Sequence, residues 1–126
     1  MPVRSLSSPV LKWPGRAEVD AAARALAARI AAAHPELARF GYFGSYARGD
    51  FGPGSDLDLV AIVRTSERPF AERPLDFDLS GLPVPAELIV YTEDEWHAAI
   101  ARGGRFFSAL QRGTVWLVQE DVSATR

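Results

Sequence analysis

Apolar residues recur at near-helical spacing over residues 16–34, where Val19, Leu26, Ile30 and Ala33 mark one stripe and Arg24 and Arg29 fall on other faces. The stretch is rich in alanine, the strongest helix former, and Pro35 stands just past its end, so it predicts a helix that covers one face of a sheet. Residues 37–43 read differently: Phe40, Tyr42 and Phe43 form a short aromatic run that stops at Gly44, a strand signature. A turn at Ser45 leads into a short helical segment through Arg48, and Gly52-Pro53-Gly54 marks a tight loop over residues 50–55. Leu57–Val63 is apolar and β-branched, the pattern of a second strand buried on part of both faces. A polar, charged connection over 65–73 is the expected mobile segment.

Past that connection the Leu-Asp-Phe-Asp-Leu alternation of residues 75–79 predicts a short or edge strand, and residues 81–85 a proline-rich break. Residues 86–91 (Ala-Glu-Leu-Ile-Val-Tyr) predict another strand. Thr92 with Glu95 three positions on is a capping box, opening a helix to about Arg102. Gly103-Gly104 separates it from a helix over 105–111 with Phe106, Phe107 and Leu110 as its apolar stripe, and residues 114–118 predict a last strand. An irregular lead-in over 1–15, with an extended piece at Val10-Leu11, and a frayed tail from Glu120 flank a single domain over 16–119. The element order predicts an α/β fold, a mixed sheet of four or five strands with helices packed on one face and the other face open for a ligand.

Composition narrows the setting more than the chemistry. The chain has 126 residues, 48% hydrophobic and 24% charged, enough for one core. It has no cysteine, no apolar run of the roughly 20 residues a bilayer requires, and no apolar signal segment at its start, so a cytoplasmic protein is expected. A net charge of −2 argues against a broad nucleic-acid surface. Lys12 is the only lysine, and the arginine excess reads as compositional bias.

The chemistry is concentrated in Gly44-Ser45-Tyr46-Ala47-Arg48-Gly49 and the Asp56-Leu57-Asp58-Leu59 that follows. On a strand, carboxylates at i and i+2 share one face while Leu57 and Leu59 take the other. Paired carboxylates beside a phosphate-cradling turn are what metal-assisted phosphoryl or nucleotidyl transfer requires, with divalent ions held about 3.5–4 Å apart. Glycine at position 44 allows close backbone approach, and the Ser45 hydroxyl can donate to a phosphate oxygen, a role compatible with an ordinary helix cap. Arg48 can reach phosphate or pair with Asp50. His34 and His97 lack metal-ligand spacing and read as cap or surface residues. Trp13, Trp96 and Trp116 read as packing residues, as do Tyr42, Phe43 and Tyr46, although one of these last three could stack on a base.

These motifs resemble the nucleotidyltransferase superfamily that includes DNA polymerase beta, and most closely its minimal nucleotidyltransferase branch. The resemblance covers residues 37–59 with specific motifs and 86–118 more loosely. It implies transfer of a nucleoside monophosphate, AMP being the expected one, from an NTP such as ATP to an acceptor hydroxyl, with two Mg2+ ions. It assigns Asp56 and Asp58 as metal ligands and Gly44 and Ser45 to the triphosphate, a group that Arg48 is also placed to bind. It implies a third acid on a later strand, for which Glu87 is the best match and Asp76 and Asp78 are rivals. The family usually places aspartate there, and glutamate adds a methylene. With no room after the core for an acceptor domain, the acceptor is expected on a partner, and the branch implies a HEPN-type toxin with this chain as its antitoxin. A nucleotide-binding module that acts by protein contact is the alternative reading. Modification of a small molecule, as in aminoglycoside nucleotidyltransferases, normally needs additional substrate-binding structure.

Overall fold

The computed structural model describes residues 13–119. The first twelve residues, with the expected extended piece at Val10-Leu11, and the expected frayed tail from Glu120 lie outside the described residues. Helix α1 (Arg16–Ala33) buries Val19, Ala23, Leu26, Ala27 and Ile30, the i, i+4, i+7, i+8, i+11 set of one helical face. Two alanines therefore take part in the contact, which lets the helix lie close on the sheet, whereas Ala33 is exposed. The helix ends where Pro35 forbids its continuation, and His34 N–H donates to the Ile30 carbonyl at 2.9 Å.

Four strands form one mixed sheet in the order β3-β2-β1-β4. Strand β1 (Leu37–Phe43) pairs antiparallel with β2 (Leu57–Val63) and with β4 (Val115–Gln119), and β2 pairs parallel with β3 (Ala86–Thr92). Between β1 and β2 lies the short helix α2 (Ser45–Arg48). After β3 come α3 (Glu93–Arg102) and α4 (Arg105–Gly113). Among the described residues no helix is long and apolar enough to cross a membrane.

Strand alternation divides the interior in two. Leu57, Leu59, Ala61 and Val63 point into the main core with α1, together with Phe40, Tyr42 and Tyr46. Ile62, on the opposite side of β2, joins Trp96 of α3 and Leu110 of α4 in a smaller cluster, with Phe107 and Trp116 packed against it. The mixed sheet is as expected, but the helices divide between its faces: α1 covers one, α3 and α4 part of the other. The apolar stripe of α4 needs cover, and Ile62 and Trp116 supply it. What remains open on that second face is the stretch of β2 and β3 bearing Asp58 and Glu87.

One sequence expectation is corrected. Residues 75–79 form no strand; a 3-10 helix spans Phe70–Asp76 and contains Pro74. Proline lacks the N–H a ladder needs, and Leu75, which the alternation would bury, is 76% exposed. The 65–73 connection is tied at its end by Arg73. Arg73 is only 7% exposed, and its two terminal nitrogens donate to Glu95 Oε1 and Oε2 at 2.6 and 3.0 Å. It also donates to the carbonyls of Val90 and Arg68, both at 3.1 Å, so this one side chain ties the connection to β3 and α3. The same Glu95 completes the capping box: Thr92 N–H donates to Glu95 Oε1 at 2.9 Å, and Glu95 N–H to Thr92 Oγ1 at 3.1 Å.

Candidate active site

Strand β1 delivers the chain to Gly44, whose φ of 77° lies in the region that favours glycine. A Cβ at this position would also run into Asp58 Oδ2, so only glycine lets the turn lie against that carboxylate. Helix α2 starts here and closes at Gly49, which has φ 90° and donates its N–H to the Ser45 carbonyl at 2.8 Å. Tyr46 anchors the turn from below. It is fully buried, its ring stacks on Phe51 with centroids 4.3 Å apart, and its hydroxyl accepts from Trp13 Nε1 and donates to the Pro14 carbonyl. Tyr42 is likewise a core residue, donating its hydroxyl to Asp20 Oδ1 at 2.7 Å. Tyr46 is thus occupied in holding the turn and Tyr42 in bonding α1, and as buried core residues neither is free to stack on a base.

The chain then returns through a loop in which Gly52 N–H donates to Ser55 Oγ and Ser55 N–H to the Gly52 carbonyl. That loop sets Asp56 immediately before β2 and Asp58 on it. On the adjacent parallel strand Asp58 is in register with Glu87, so the two acids stand side by side on one face, with strands about 4.8 Å apart. Burial raises the pKa of the half-buried Asp58 above the usual carboxylate value, and Glu87 and then Asp56 raise it further; Arg48 acts against them. The acids that Asp58 senses are therefore the sequence candidates Asp56 and Glu87.

The rivals for the third position are turned elsewhere. Asp78 accepts from Ser80 N–H at 3.0 Å, and its pKa is lowered by that contact and by Arg29 of α1, on the other side of the sheet. Asp76 is held by Arg68 Nε, at 2.8 and 2.9 Å to its two oxygens. Arg48 pairs with Asp50 at 3.0 Å in an exposed contact of little energetic worth. His34 stacks on Phe77 and bonds Glu36, and His97 is exposed.

A cavity of about 690 Å³ opens over this turn. It is lined by Gly44, Ser45, Arg48, Asp56 and Asp58 together with Phe43 of β1 and Phe106, Ala109, Leu110, Arg112 and Gly113 of α4. Its size falls within the roughly 300–1,000 Å³ range of small-molecule sites. Glu87 is exposed and is not part of this lining. The sequence showed Phe106 only as part of an apolar stripe, and Arg112 was not singled out. Their signal was faint: 106, 109, 110 and 113 share one helical face, but the sequence does not say what that face meets.

The donor set suits a hard divalent cation, since it consists of carboxylate oxygens, with no thiolate or imidazole. Among the described residues no three acids or histidines are drawn together as a ready-made cage. Mg2+ does not need one: it is usually held by one or two carboxylates, its waters and substrate phosphates. Asp58, with Asp56 beside it in the cavity, meets that requirement, and Glu87 is the adjacent acid.

Among solved structures, one described as a "putative nucleotidyltransferase" from Sulfolobus solfataricus is similar, with a TM-score of 0.58 over 80% of this chain and 80% of that one. At 20% sequence identity, the similarity establishes the fold. No curated protein matches the sequence. The sequence profile of the nucleotidyltransferase domain matches residues 24–104, from the middle of α1 past α3, and so spans the turn, both aspartates and Glu87. With that match over more than half its length, the chain belongs to the nucleotidyltransferase domain family.

Proposed function

We propose that the chain transfers a nucleoside monophosphate, AMP being the expected one, from an NTP to a hydroxyl of a partner protein. The observation that carries the reading is the register of Asp58 with Glu87, beside a glycine turn that only a residue without Cβ can form against Asp58. In the reaction the acceptor oxygen bonds the α-phosphorus, the bond to pyrophosphate breaks, and a Glu87 carboxylate oxygen takes the acceptor's proton. Asp56 and Asp58 would hold Mg2+, which when bound supplies charge neutralisation at the phosphates. Gly44 and Ser45 present the phosphate turn, and Arg48 adds a cation at the same cavity. The sequence resemblance points to a HEPN-type toxin as partner, with this chain as its antitoxin.

A second reading, a nucleotide-binding module without transfer, is favoured by one observation: Glu87 is exposed outside the cavity lining. One experiment separates the two. The chain, with its co-purifying partner, is incubated with Mg2+ and α-labelled ATP. Label on the partner that disappears in Asp58→Asn supports transfer. Tight MgATP binding with no label on any protein supports the second reading, and absence of nucleotide binding rejects both.

A further inference from the structure

We propose that Phe106 of α4 is the platform on which the nucleotide base stacks, so that this cavity takes purine nucleotides in preference to pyrimidine ones. The inference rests on the nucleotide reading of the cavity and adds to it the wall that reading leaves without a role.

Phe106 is 48% exposed, unusual for a phenylalanine that also makes two aromatic contacts. Its ring lies nearly perpendicular to Phe43, with centroids 6.2 Å apart at 83°, and to Phe107, at 5.2 Å and 80°. These two edge-type contacts set the ring's orientation from the protein side, while close to half of the residue stays exposed and the residue lines the cavity. Leu110, one turn along the same helical face, is buried against Ile62 and Trp96 and fixes α4 to the sheet. The platform is therefore held in place before any ligand arrives, which lowers the ordering cost of binding.

The occupant follows from the rest of the lining. The phosphate turn and acids at Gly44, Ser45, Asp56 and Asp58 share this one cavity with the open ring. A molecule that satisfies both has a polyanionic end and a flat apolar end, which describes a nucleoside triphosphate. Stacking ranks bases by the area of the ring system, so purines are favoured over pyrimidines.

Calorimetry of the full chain with Mg2+ and non-hydrolysable ATP, GTP, CTP and UTP analogues, and with inorganic tripolyphosphate, tests this. In Phe106→Ala the purine analogues are expected to bind about tenfold more weakly or worse, whereas tripolyphosphate affinity is unchanged. Phe106→Trp should retain purine binding. Phe106→Leu, which keeps apolar bulk without a π face, should behave like the alanine variant. Unchanged purine affinity in the folded Phe106→Ala variant, or equal loss for tripolyphosphate, overturns the proposal. If the wild-type chain binds neither tripolyphosphate nor any analogue, and Asp58→Asn makes no difference, the underlying nucleotide reading fails as well, so the two failures are distinguishable.

Discussion

Residue 44 shows how much of the site a single atom controls. A methyl group there would meet the Asp58 carboxylate, and the backbone at φ 77° disfavours any side chain. Gly44→Ala should therefore cost about 1–3 kcal/mol in urea denaturation and also abolish nucleotide binding, since it displaces the acid and the turn together. Asp58 makes the opposite kind of prediction. Its pKa is raised first by burial and then by Glu87 and Asp56. A carboxyl group with a raised folded-state pKa binds more protons in the native than in the unfolded state over that window. Its contribution is thus favourable at low pH and is lost as pH rises through the folded-state value. In metal-free buffer, Asp58→Asn should be more stable than wild type at neutral pH, and the gap should close on acidification below the ordinary aspartate range. A neutral-pH stability equal to or below that of wild type would contradict the account of three mutually repelling acids.

At the scale of elements, the side chains that join them matter most. Arg73 makes a two-pronged contact with Glu95 and bonds two carbonyls, so it binds the 3-10 helix, β3 and α3 into one unit. Glu95 is 43% exposed, which screens the pair, so Arg73→Ala should cost about 1–3 kcal/mol, below the range of a fully buried pair. Lysine should not restore it, because an ammonium cannot reproduce the planar fork. The Glu95 pKa is lowered chiefly by Arg73, so its contribution is present above the ordinary glutamate value and is lost as pH falls through the folded-state value. Stability lost by wild type in that acid range, and missing from the already weakened Glu95→Gln variant, would be the signature in pH-dependent denaturation. Between β1 and β4 the constraint is steric: a Cβ on Gly41 would stand 2.5 Å from the Val115 carbonyl oxygen and 3.1 Å from Trp116 Cα. Both atoms are backbone, so they cannot rotate away. Gly41→Ala should cost about 1–3 kcal/mol through displacement of β4, read as a lower denaturation midpoint.

What the sequence revealed, and what it concealed, divides along the same physical line for the whole molecule. Strands β1 and β2, helix α1 and the capping box were legible because periodicity, alanine content and the Thr92–Glu95 spacing are local. The pairing of Arg73 with Glu95 was not, because it links positions far apart in the chain, and the 75–79 alternation misled because Pro74 outweighs a period of two. The same limit hid Arg112 and the place of Phe106 beyond its apolar stripe: a helix announces its apolar face but not the wall it will form. Assembled, the cavity joins acids at the start of β2 to arginines from α2 and α4, and this balance carries the last prediction. A triphosphate brings several negative charges to a site where Asp56 and Asp58 already oppose Arg48 and Arg112. Without a cation the phosphates meet carboxylates, and without phosphates Mg2+ has too few ligands to displace its waters. The two should therefore bind cooperatively. Thermal denaturation should show a small shift with Mg2+ or ATP alone and a larger one with both, equivalent to about 2.7 kcal/mol when the complex is at a hundred times its Kd. Asp56→Asn with Asp58→Asn should remove the cooperativity and leave a weak, Mg2+-independent response to ATP. Full stabilisation of that double variant by MgATP would mean that the acids do not hold the ion.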